Sequence, residues 1–98
     1  MSDIVRITRP YGLLIATAMV QEKGNMHIIL VKLDRPDEEH EYVVWLFVQW
    51  ASAPGSCSAG DYFQGPNAFN ESFARFVERA QRERLLYLQH TLEPMKVG

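Results

Sequence analysis

Four kinds of side chain in this sequence have the types and spacing to do chemistry: a thiol, the imidazoles, a carboxylate cluster and a run of arginines. Cys57 lies in Gly55-Ser56-Cys57-Ser58-Ala59-Gly60. A thiolate there, with His40 or His27 as base, would be a nucleophile. Neither an orienting third group nor a thiolate stabiliser can be picked out. The segment also misses the G-x-S-x-G spacing, because Ser56 stands two residues before Ser58. An incidental cysteine in a small-residue loop is the expectation, and no catalytic residue is assigned.

His27, His40 and His90 are far apart in sequence, and no H-x-x-x-H, C-x-x-C or H-E-x-x-H occurs. The run Asp34–Glu41 lacks the alternating oxygen ligands and central glycine of a calcium loop. Gly55 and Gly60 have P-loop spacing, but Asp61 follows where lysine and a hydroxyl residue are needed. No metal or cofactor is expected.

The carboxylates Asp37, Glu38, Glu39 and Glu41 form an acidic connecting loop beyond Pro36. Nucleases and nucleic-acid-guided complexes present basic grooves to their substrates. Clustered carboxylates can engage such a groove and steer association. With Trp50, these four are the candidate partner-binding residues; the plainer alternative is a solvated loop. Arg75, Arg79 and Arg82 recur at helical spacing and are the candidate nucleic-acid face. Glu71, Glu78 and Glu83 interleave with them, so the plainer reading is an ion-paired solvated face. The net charge of −2 also weighs against a nucleic-acid partner.

These groups must be positioned by a chain of 98 residues, the length of a single domain spanning 1–98. Its 47% hydrophobic content against 22% charged is a globular balance, not a disordered one. One thiol makes no internal disulfide, the first residues lack a secretory pattern, and no apolar run reaches membrane length. The expected location is the cytoplasm, without membrane contact.

The organising element is a strand over residues 41–51, EYVVWLFVQWA. Tyr42, Val44, Leu46, Val48 and Trp50 face one way, and Val43, Trp45, Phe47 and Ala51 the other. Both faces are apolar, so both need cover. Residues 3–8 alternate as a short edge strand. Residues 13–21 suit a helix or a strand; the tight turn Lys23-Gly24-Asn25 favours a strand paired with residues 26–33. Residues 53–60 show no pattern, and a short last strand is expected at 61–64. From Asn67 the period changes, predicting a helix over about 67–90 with Asn67 or Asn70 as cap. Its stripe is Phe69, Phe73, Phe76, Val77 and Ala80, with Phe73 and Phe76 expected as core anchors. Beyond Ala80 the apolar residues spread around the helix, giving more apolar surface than one sheet face needs. From Pro94 the tail is expected to fray.

At Tyr42-Val43-Val44-Trp45, Gly60-Asp61-Tyr62-Phe63 and Phe76-Val77-Glu78-Arg79, the chain resembles a family of short prophage and mobile-element proteins. These read Y-V-T-W, then G-H-Y-F, then a helix with A-x-x-D-F-x-x-R. The likeness covers about residues 42–79. It departs at Val44, Asp61, Ser72 and Arg75. It implies a hairpin-plus-helix unit and a mobile-element setting, and no catalytic residue.

The fold expected is α+β: an antiparallel meander of about four strands with one long C-terminal helix across one face. The function expected is non-enzymatic, stoichiometric protein binding, such as inhibition of a host defence complex in the manner of an anti-CRISPR. The alternative is a small nucleic-acid-binding regulator using the arginine-bearing helix. A two-fold homodimer is expected, because the second apolar face (Val43, Trp45 and Phe47, beside Ile29 and Val31) would otherwise face water.

Overall fold

The computed structural model describes residues 2–20, 25–34, 41–49 and 55–97, with side chains over 4–20, 25–34, 41–49, 55–86 and 88. The elements in chain order are α1 (Ser2–Thr8), β1 (Gly12–Met19), β2 (Met26–Leu33), β3 (Tyr42–Val48), β4 (Ser56–Phe63) and α2 (Ala68–Val97). The strands form one antiparallel meander in the order β1-β2-β3-β4. The architecture is α+β, with α2 packed on one face.

The alternation of β3 divides the core in two. Ile28, Leu30 and Val44 face α2, where Phe76 and Val20 join them. Ile29, Val31, Val43 and Phe47 face the other way, and Ile4 of α1 closes over them. Residues 3–8 are thus helix, not the expected edge strand. A two-residue alternation over six positions also satisfies a helical face: Ile4, Ile7 and Thr8 fall at i, i+3 and i+4. Ile4 and Thr8 are buried, and the Thr8 hydroxyl donates to the Ile4 carbonyl at 2.8 Å. The bare second sheet face decides the matter, because a short helix can lay a row of side chains across it. The homodimer contact expected at Val43 and Phe47 is corrected accordingly. Both residues are fully buried within one chain.

Strand β4 begins at Ser56, well before the expected 61–64. Its small residues carry no periodic signal, and pairing with β3 (Val48 with Ser56, Tyr42 with Phe63) sets its extent. The ladder shifts register between Val44 and Leu46, and Ala59 opposite takes a left-handed φ of 53°.

Helix α2 starts as anticipated: the Asn67 carbonyl accepts the first helical bond, from the Glu71 N–H at 2.9 Å. It runs through Pro94 to Val97 instead of fraying. The buried stripe is rotated from the expected one. Ala68, Ser72, Phe76 and Arg79 are buried, while Phe69, Phe73 and Val77 are 46%, 44% and 39% exposed. Small Ala68 and Ser72 let the helix axis approach the sheet, and the larger neighbours are left on its flank. Phe76 is the core anchor; Phe73 is not.

Candidate functional site

Helix α1 lies towards the β1 side of its face, so the β3–β4 side beside it stays open. The result is a trough of about 620 Å³ lined by Arg6, Ile7, Tyr11, Trp45, Cys57 and Tyr62, among others. Trp45 projects from β3 as its floor. Tyr11, in the turn after α1, meets it edge-on at 5.7 Å and 73°. Tyr62, from β4, meets it from the other side at 6.4 Å and 88°. Such edge-to-face contacts suit the ring quadrupoles and hold the indole upright. Gly60 is required here: a Cβ would stand 2.8 Å from both Trp45 Nε1 and Tyr62 Cε1. Tyr11 and Tyr62 remain 42% and 48% exposed. The trough therefore presents aromatic walls to solvent and needs no rearrangement to do so.

Its only titratable sulfur is not poised for attack. Burial pushes the Cys57 thiol up, the opposite of what a nucleophile requires. His27 is buried with its ring 6.3 Å from that of Phe47, and burial pulls its pKa below the usual imidazole value. Its Nδ1 has no hydrogen-bond partner. Among the described residues, no group of three or more His, Cys, Asp or Glu lies together as a metal site.

The arginines serve a different end from the one their spacing suggests. Arg79 is 4% exposed. Its Nη1 donates to the Val44 carbonyl (3.1 Å), the Ala59 carbonyl (2.6 Å) and Asp61 Oδ2 (3.1 Å). It ties α2 to β3 and β4 and is closed to nucleic acid. Arg75 donates through Nε to Asp61 at 3.1 Å and pairs with Glu78. The Asp61 hydrogen bond raises its pKa further above the ordinary value. Of the three, only Arg82 is wholly on the exposed side. The helical period was legible in the sequence; the acceptors on β3 and β4 were not.

Of the acidic set, Glu41 is exposed, and its backbone bonds to Leu33 and Phe63 place it at one end of the sheet. Asp37, Glu38, Glu39 and Trp50 lie outside the described residues. Within the expected interface trio, Trp45 alone keeps solvent-facing surface. Sequence reasoning missed Tyr11, placed only by the helical turn before it. Tyr62 enters the sequence reading only within the resemblance motif, although alternation from Phe63 puts it on the opposite face. The described helices include none long and apolar enough to cross a membrane. No known protein family, curated protein or solved structure matches this chain.

Proposed function

We propose that this chain is a non-enzymatic protein-binding protein that acts by stoichiometric association, with the trough at Tyr11, Trp45 and Tyr62 as its recognition surface. One observation carries the reading: a concave, preformed trough walled by tyrosine and tryptophan with an arginine at its rim. These residue types dominate the energetic centres of protein interfaces. Ordered rings lose little entropy on binding, so their burial converts efficiently into affinity. The resemblance to mobile-element proteins makes a host nucleic-acid-guided defence complex the first partner class to test. The exposed carboxylate of Glu41, with Asp37, Glu38 and Glu39 in the same sequence run, supplies steering towards a basic groove. The proposal retains a homodimer.

The test is a titration of such a complex with wild type, Tyr11→Ala, Tyr62→Ala and a variant with the four carboxylates changed to Ser. Inhibition should saturate at equimolar protein and be lost in both tyrosine variants, with the serine variant slower to associate. Inhibition far below equimolar ratio would refute the non-enzymatic reading. Unchanged inhibition by both tyrosine variants would remove the trough from it.

A further inference from the structure

Strand β1 is an edge strand of unusual composition. Its eight residues, GLLIATAM, include no charge and no proline, the devices that normally keep sheet edges from pairing. Among the described residues, no strand pairs with its outer edge. Leu13, Ile15 and Met19 are 64%, 37% and 48% exposed. The other edge, β4, is interrupted by the left-handed Ala59 and carries Asp61.

We infer that β1 pairs antiparallel with β1 of a second copy, joining two sheets into one continuous eight-stranded sheet. The inference deepens the homodimer part of the proposed function and is independent of the trough. Three features select a second copy as the occupant. First, an unpaired backbone edge calls for a strand.

Second, the register shift at Ile15 makes β1 self-complementary. Directly opposed residues of antiparallel neighbours share a face. In an unbroken strand, residues 13 and 18 face opposite ways, and full-length self-pairing would set apolar against solvent faces. Here Leu13 pairs with Lys32 and Ala18 with Ile28, on the α2 side. Leu14 pairs with Val31 and Thr17 with Ile29, on the α1 side. Two copies can therefore overlap completely, with Leu13 opposite Ala18 and Leu14 opposite Thr17.

Third, exposed apolar residues of α2 lie towards the same junction. Antiparallel neighbours related by a two-fold have that axis perpendicular to the sheet, so both α2 helices lie on one face. Arg75 and Arg79 turn one flank of α2 to β4. The opposite flank, with half-exposed Phe73 and Val77, is turned towards β1. In the dimer the two flanks face one another across the joined strands. One two-fold contact thus covers the strand edge, Leu13 and the helix flanks together.

Sedimentation velocity on the full chain tests this. Wild type should be a dimer at micromolar concentration. Leu13→Lys and Val77→Lys, both at solvent-accessible positions, should each raise the dimer dissociation constant by at least about a hundredfold. Tyr62→Ala should leave the dimer intact while losing any trough binding, which separates failure of this surface from failure of the trough. A wild type that remains monomeric at high micromolar concentration overturns the inference, and so does a dimer that survives both lysine variants. If a lysine variant does not fold, amide exchange of wild type decides. Protection at β1 that rises with protein concentration supports the pairing, and protection independent of concentration refutes it.

Discussion

Removing Asp61 should cost this protein more than removing Arg79, although Asp61 is much the more exposed of the two. The side chains are 33% and 5% exposed, 3.1 Å apart. Arg79→Met keeps the aliphatic stem packed and deletes the charge. Asp61 and the Ala59 carbonyl lie near enough to solvent to rehydrate. The Val44 carbonyl, buried under α2, loses its guanidinium partner, a loss of about 1–3 kcal/mol. Asp61→Ala instead leaves a guanidinium buried against two carbonyls, with no counter-charge and with Nε already unpartnered. Stranding a fully buried charge costs roughly 3–5 kcal/mol. The partial exposure of Asp61 screens the pair, so about 2–4 kcal/mol is expected here. Released Arg75 adds little, because its pair is partly exposed and it keeps Glu78 as a partner. In the double variant Asp61→Ala/Arg79→Met no charge is stranded, so its loss should fall well short of the sum of the two single losses. Urea unfolding followed by tryptophan fluorescence measures all three, provided the slope of the transition is unchanged. Strict additivity, or an Asp61→Ala variant more stable than Arg79→Met, would refute the view of Arg79 as a buried clamp dependent on one carboxylate.

Two other perturbations separate core from flank and neutral from charged. Phe76→Ala should cost about 3–5 kcal/mol, and Phe73→Ala, at a half-exposed site in the monomer, under about 1 kcal/mol. Thermal melts of monomeric protein, held monomeric by dilution, compare them directly; equal losses would mean that the helix is docked on a different stripe. His27 has a folded pKa below its unfolded value of 6.5. The unfolded chain then binds the proton first, so stability is complete above 6.5 and is lost as pH falls from there towards the folded pKa. The melting temperature should drop across that window, and His27→Leu should flatten the drop; an unchanged profile would assign the acid sensitivity elsewhere.

Local pattern alone determined much of this protein. The two-faced apolar alternation of β3 demands a covered sheet, the turn-forming residue types Lys23-Gly24-Asn25 between two apolar runs announce the β1–β2 hairpin, and the change of period at Asn67 marks α2. These signals live in neighbouring residues, where sequence carries the information. Tertiary structure decided what depended on distant partners. Whether residues 3–8 were strand or helix turned on the bare face they had to cover, and that same helix removed Val43 and Phe47 from any surface. The rotation of α2 was settled by how closely Ala68 and Ser72 let it approach the sheet. Arg79 became a clamp because acceptors from β3 and β4 meet beneath it. The trough required Tyr11, Trp45 and Tyr62 to converge from three elements. No spacing in the chain records that convergence, because rings brought together by packing bear no fixed relation in sequence.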